Sequence, residues 1–168
     1  MTATLSPATA LERLLGTVGE AMTAEVVALQ ADTPADVATQ RLEHMQVSGA
    51  PVVDHGRVVG VVTCVTCSRR PGRRPRSDHR PVPRHEHHLT GYLVRELMTA
   101  EPVRARADAP LAEAVLAMDQ AGVNRVPVVD ASGGPVGILT RDDVLRVLAR
   151  SIRQLGLPAG GRPQMEPD

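Results

Sequence analysis

Residues 18–54 read VGEAMTAEVVALQADTPADVATQRLEHMQVSGAPVVD, and residues 94–130 read VRELMTAEPVRARADAPLAEAVLAMDQAGVNRVPVVD; the two align without a gap at an offset of 76. Sixteen of the 37 positions are identical, among them Met22-Thr23-Ala24-Glu25 with Met98-Thr99-Ala100-Glu101, Pro34 with Pro110, and Pro51-Val52-Val53-Asp54 with Pro127-Val128-Val129-Asp130. The second copy then carries one extra residue in its turn, after which Gly60 and Thr63 correspond to Gly137 and Thr140. Two copies of one unit imply a pseudo-twofold module whose working surface lies in the cleft between them.

The rest of the chain is read outward from that duplication. A length of 168 residues is ample for one double-repeat domain with a core of Val, Leu, Ala and Met, since Tyr92 is the sole aromatic residue. Formal net charge is zero, so no global field draws the chain to nucleic acid or membrane. All 19 basic residues are Arg, which with the abundant Ala, Pro and Gly reads as compositional bias. There is no apolar run near 18 residues, and residues 1–20 are polar and broken by Pro7 and Gly16, so a cytoplasmic protein without a membrane span is expected. Two cysteines, Cys64 and Cys67, do not make a disulfide framework, which agrees with a reducing compartment.

Ser6-Pro7 starts an N-terminal helix over 1–17, with Leu11, Leu14, Leu15 and Val18 on one face. In the first repeat (18–68) an extended stretch is expected around Val26 to Leu29, then a helix opened by Thr33-Pro34 with Val37, Ala38, Leu42 and Met45 at helical spacing. Ser48-Gly49 reads as its stop signal. Pro51 to Val53 and Val58 to Thr63 read as a hairpin closed by Asp54-His55-Gly56. The second repeat (92–153) follows the same path: extended Pro102-Val103, a helix from Asp108 through Met118, strands Val126 to Val129 and Val136 to Leu139 around Ser132-Gly133-Gly134, and a closing helix from Asp142 to about Arg153. That helix is expected to bury Val144, Leu145, Leu148 and Ile152. Residues 154–168 read as a tail.

The doubled order of Met-Thr step, Asp-x-Pro helix start, Pro-Val-Val-Asp hairpin and Gly-h-h-Thr strand end, completed in the second copy by Thr140-x-x-Asp143, resembles a pair of cystathionine β-synthase (CBS) domains, or Bateman module, over residues 18–66 and 94–152. The resemblance implies an α/β (α+β) fold of tandem β-α-β-β-α repeats, with antiparallel sheets packed through pseudo-twofold symmetry. It implies a homodimer, adenosine-type ligands (AMP, ADP or ATP) in the clefts, and regulation of an unknown protein target, such as energy sensing, with no required cofactor and no chemistry of its own.

Gly137-Ile138-Leu139-Thr140-Arg141-Asp142-Asp143 is the most informative local motif. A strand delivers Thr140 to a helix N-terminus, where unpaired N–H groups favour an anion such as phosphate. The Asp143 carboxylate can accept from both ribose hydroxyls. Thr-x-x-Asp is equally a capping arrangement, and both roles can coexist. Val123-Asn124-Arg125 precedes a core strand and lines the cleft mouth, with Arg125 able to grip a phosphate through two N–H groups. An adenine ring would pack among Val103, Val123 and Ile138, residues equally at home in a core. Nucleotide-contact candidates are therefore Val103, Val123, Asn124, Arg125, Ile138, Thr140 and Asp143.

The first repeat departs from this pattern. Thr66 stands where the second has Asp143, and Ser48-Gly49 where it has Asn124-Arg125, so the first half-site is expected to be weak or empty. Ser68 to Gly72 then cuts its closing helix short.

Residues 69–91 form an Arg/Pro/His-rich linker. Across 69–88, seven arginines stand against Asp78 and Glu86, a local charge of +5 that leaves −5 on the remainder. Nothing there reads bases, so nucleic acid is not expected as a partner. Cys64 and Cys67 with His85, His87 and His88 have zinc-ligand chemistry in irregular spacing. A metal-dependent or redox protein, or a dimerisation module with empty clefts, are the alternatives to a stand-alone nucleotide sensor.

Overall fold

A computed structural model describes residues 12–63, 89 and 91–156. In chain order the elements are α1 Val18–Ala21, β1 Thr23–Ala24, β2 Leu29–Gln30, α2 Ala35–His44, β3 Gly49–Asp54 and β4 Arg57–Thr63. The second repeat supplies α3 Val94–Leu97, β5 Thr99–Ala100, β6 Ala105–Arg106, α4 Leu111–Ala121, β7 Arg125–Val129, β8 Pro135–Thr140 and α5 Arg141–Gln154. The first repeat's expected closing helix, the linker arginines and Thr66 lie outside the described residues, as do Cys64, Cys67, His85, His87 and His88.

Two four-stranded sheets form, ordered β1-β8-β7-β6 and β2-β3-β4-β5. They are mixed and not purely antiparallel as expected: β2 runs parallel to β3 and β6 parallel to β7, because a helix crosses over between each pair. The sequence repeats and the spatial halves also fail to coincide. β1 of the first repeat pairs with β8 of the second, and β5 of the second pairs with β4 of the first.

This exchange has a local cause. Glu25 at φ 57° and its counterpart Glu101 at φ 49° adopt the left-handed conformation just after β1 and β5. Each kinks the chain out of one sheet and sends it to the other. The extended stretches expected at Val26 to Leu29 and at Pro102-Val103 are therefore broken. Only Leu29 joins a strand, and pairing in the second copy resumes at Ala105.

Packing repeats the exchange. Val18 and Val94, both 0% exposed, are buried in the half to which they do not belong by sequence: Val18 packs with Leu111, Val126 and Leu139, and Val94 with Leu42, Val52 and Val62. Backbone bonds agree, with Val18 N–H to Ala109 carbonyl at 2.9 Å matched by Val94 N–H to Thr33 carbonyl at 2.9 Å. The shared glycines explain themselves here. A Cβ on Gly137 would lie 2.5 Å from the Met22 sulfur, and one on Gly60 would run into the Met98 sulfur. The recurring Met and Gly are thus two sides of one contact across the exchange.

Several expected boundaries shift for identifiable reasons. Gly16 at φ 73° ends the helical turn over 12–15, so Val18 opens a separate short helix, although Leu15 and Val18 pack into the same core. Gln46 at φ 54°, not Ser48-Gly49, stops α2, with Val47 N–H bonding to Leu42 carbonyl at 3.0 Å. Gly122 at φ 62° does the same for α4, and Gly49 belongs to β3. That helix begins at Leu111 and not at Asp108, because Pro110 is extended at its N-cap.

The hairpin turn His55-Gly56 has positive φ at both residues, 47° and 76°, which suits the twist of a two-residue connection. It touches the other turn, since Val58 N–H donates to Gly133 carbonyl at 2.9 Å.

On α5 the expectation reverses. Asp143, Val147 and Ser151 are buried and Val144 partly so, whereas Leu145, Leu148 and Ile152 are 54%, 45% and 40% exposed. Among the described residues no helix is long and apolar enough to cross a membrane.

Candidate functional site

The C-terminal end of β8 gathers most of the second repeat's polar candidates. Thr140 leaves the sheet in extended conformation and caps α5, and the next helical residues bring Asp143 back beneath it. Asp143 is 1% exposed. Its Oδ2 accepts from Thr140 N–H at 2.7 Å and from Thr140 Oγ1–H at 2.6 Å, while Asp143 N–H approaches Thr140 Oγ1 at 3.3 Å. The capping role is therefore real, and it occupies one carboxylate oxygen. The other, Oδ1, accepts from Arg146 Nη2 at 2.5 Å and is approached by Thr23 Oγ1 at 3.5 Å.

Every oxygen of this buried carboxylate thus has a donor, as burial of a polar group requires. Arg146 guards it from the solvent side, its own side chain being 68% exposed. Neither Arg146 nor Thr23 was singled out from the sequence. Arg146 was accessible to the i,i+3 rule on a helix. Thr23 comes from 120 residues away and reaches Asp143 only because β1 lies beside β8.

Arg125 starts β7 directly opposite Thr140 in the antiparallel register, and Asn124 carbonyl accepts from Arg141 N–H at 3.0 Å. Ile138 sits between Thr23 on β1 and Pro127 on β7 and is 8% exposed. Val123 and Val103 are partly buried against the second core. Val103 lies two residues before β6, which runs parallel to β7, so it falls toward the sheet end where Arg125 begins. The candidates thus share one end of one sheet.

The anion expectation for the α5 N-terminus fares less well. Its first N–H is taken by Asn124 carbonyl, Asp143 N–H faces Thr140 Oγ1, and Asp142 and Asp143 place two carboxylates in the same turn. Arg141 opens the same turn and Arg146 is paired with Asp143, so the charges there balance and the helix end has no net charge to offer a phosphate.

Arg125 also points elsewhere than expected. Its Nη2 donates to Ser48 Oγ at 3.0 Å, across the boundary between the halves. Among the described residues no group of His, Cys, Asp and Glu is arranged to hold a metal ion.

The CBS domain profile matches residues 18–65 and 94–150, and the chain belongs to the CBS domain family. It carries two such domains, the paired arrangement that constitutes a regulatory module. The crystal structure of the CBS-pair protein CBSX2 from Arabidopsis thaliana superposes with a TM-score of 0.66 at 30% identity, covering 82% of this chain and 96% of that one. CBSX2 in complex with AMP gives 0.62 at 28% identity over 80% and 96%. The CBS domain pair of protein MJ0100 in complex with 5′-methylthioadenosine and S-adenosyl-L-methionine shares the fold at 0.64 and 22% identity, over 80% and 97%. The chain spans 29%, 21% and 22% of three longer archaeal relatives, the latter two inosine-5′-monophosphate dehydrogenases.

Proposed function

We propose that this CBS pair is a sensor for an adenine nucleotide of the AMP, ADP or ATP class, bound in the second half and reported to a protein partner without chemistry of its own. The observation that carries this reading is Asp143 Oδ1. It is a buried carboxylate oxygen at a strand-to-helix junction, covered from outside by the exposed Arg146 side chain. A ribose offers two adjacent hydroxyl donors in place of Arg146, while Oδ2 keeps its cap on Thr140. Val103, Val123 and Ile138 supply an aliphatic bed for the base beside it. The likeness to CBSX2, solved with AMP, supports the same ligand class.

Thermal melting with each nucleotide tests the reading. A ligand that binds only the folded chain adds about 2.7 kcal/mol at 100 times its dissociation constant. A rise in melting temperature with AMP, ADP or ATP is expected, and no shift with any of them at millimolar concentration would remove it.

The exposed stripe Leu145, Leu148, Ile152 on α5 supports a homodimer as the form that carries the signal. Light scattering at tens of micromolar should report two chains, reduced to one in Leu145→Glu/Leu148→Glu; a monomeric native chain contradicts this.

A further inference from the structure

Arg146 has two carboxylates within reach on the preceding turn of α5. Asp143 stands three residues before it and Asp142 four, and both spacings bring side chains together on a helix surface. The two differ in their surroundings, Asp143 being 1% exposed and Asp142 open to solvent. The guanidinium has taken the buried one, with Nη2 on Asp143 Oδ1. Among the described residues that oxygen is otherwise approached only by Thr23 Oγ1, at 3.5 Å, the outer limit of a hydrogen bond. The pair is lopsided. Removing the donor leaves a buried carboxylate oxygen unsatisfied, whereas the guanidinium, on a side chain 68% exposed, is hydrated wherever it goes. Such a contact holds until another donor arrives and is then released at small cost. The first repeat has no counterpart in sequence: Val65 and Thr66 stand where the second has Asp142 and Asp143, with Arg69 in the place of Arg146.

We infer that Arg146 is an internal competitor for the nucleoside and sets the affinity of the site by the cost of its move from Asp143 to Asp142. The inference rests on the adenosine reading above and specifies how that site is regulated. In the ligand-free chain the guanidinium stands on Oδ1 where the ribose hydroxyls would go, and Oδ2 stays committed to the Thr140 cap in both states. On binding, two hydroxyl donors replace one charged donor, so the buried carboxylate is never left bare. Arg146 moves one position along the turn to an exposed partner. An exposed i,i+4 pair with the acid before the base is weakly favourable, so Asp142 lowers the cost of release without removing it. The site therefore opens to a ligand that brings two adjacent hydroxyl donors and stays shut to one that only fills the apolar bed.

Calorimetry of the full chain tests this in wild type, Arg146→Met, Arg146→Lys and Asp142→Asn, with adenosine titrated directly and by displacement of AMP. Adenosine is the deciding probe because it is uncharged, so a change of charge at these positions reaches it through Asp143. Arg146→Met keeps the length of the side chain and supplies no donor. It should bind adenosine about three- to tenfold more tightly while its ligand-free melting temperature falls. Arg146→Lys, which keeps a charged donor, should stay within about twofold of wild type. Asp142→Asn, which takes away the receiving partner, should bind adenosine about twofold more weakly. In an Asp143→Asn background, Arg146→Met should change adenosine affinity by less than about twofold. Unchanged or weaker binding in Arg146→Met, tighter binding in Asp142→Asn, or the same gain with Asp143 replaced would overturn the competition and leave the adenosine reading standing. Should Arg146→Met not fold, as judged by its melting curve, Arg146→Gln, whose neutral amide competes less than a guanidinium, must show the gain or the inference falls. If neither wild type nor any variant binds adenosine or AMP, the adenosine reading fails and the competition with it.

Discussion

In the first half the Met98 sulfur lies over Gly60; in the second the Met22 sulfur lies over Gly137, and Val94 and Val18 are buried in matching foreign pockets. At the sheet ends the correspondence stops: Ser48-Gly49 stand opposite Asn124-Arg125, and Thr66 replaces Asp143. The exchange of short strands holds the halves together and needs both copies of its residues. Recognition of a ligand, on the function proposed above, needs only one such set, and the second half carries Arg125 and Asp143.

The packing side of this comparison predicts the largest effects. Gly60→Ala and Gly137→Ala should each cost about 1–3 kcal/mol, because a methyl group must displace a methionine and press on a strand carbonyl. Denaturant melts showing a loss in one variant and none in the other would break the claimed equivalence.

A smaller effect of opposite sign is expected at the α2 stop. Gln46 carries the left-handed conformation that Gly122 carries in α4, and Gln46→Gly should gain about 1 kcal/mol by relieving the side chain's steric penalty. A destabilised variant would show that the Gln46 side chain does more than end the helix.

The smallest effect concerns the second hairpin, whose extra residue lets Asp130 accept from Ser132 N–H at 2.8 Å, Ser132 Oγ–H at 2.6 Å and Gly134 N–H at 2.9 Å. The Ser132 hydroxyl and then the Gly134 amide hold this carboxyl below its usual range. A depressed folded value means the contribution is complete at neutral pH and is lost as pH falls below about 4, through the folded value. Asp130→Asn should lower neutral melting slightly and flatten the acid limb by the same small amount, the two chains converging in acid; a steeper acid limb in the variant would contradict the assignment.

The duplication, the hairpins and α5 were legible in the sequence because each has a local signature: Pro-Val-Val-Asp runs, a two-residue turn at His55-Gly56, and Thr140 three residues before Asp143. The strand exchange was not. Glu25 and Glu101 at positive φ carry no residue signal for it, and only pairing across more than a hundred residues reveals that Thr23 belongs beside Ile138. The exposed face of α5 was misread because Asp143 and Ser151 look like surface residues until their partners, Thr140 and the Leu14 carbonyl, are in place. Thr140 and Asp143 were found as candidates, whereas Arg125's reach to Ser48 required the two halves together.

Calorimetric titration of AMP into Asp143→Asn and Thr66→Ala puts the difference between the halves to its most direct test. Asparagine preserves an oxygen for the Thr140 cap but removes the charge that would hold the ribose hydroxyls. Affinity should fall about tenfold or more in Asp143→Asn, from a charge-assisted bond worth roughly 1.5–3 kcal/mol, and stay within about twofold in Thr66→Ala. Equal losses in the two variants, or no loss in Asp143→Asn, would contradict the assignment of the ligand to the second half.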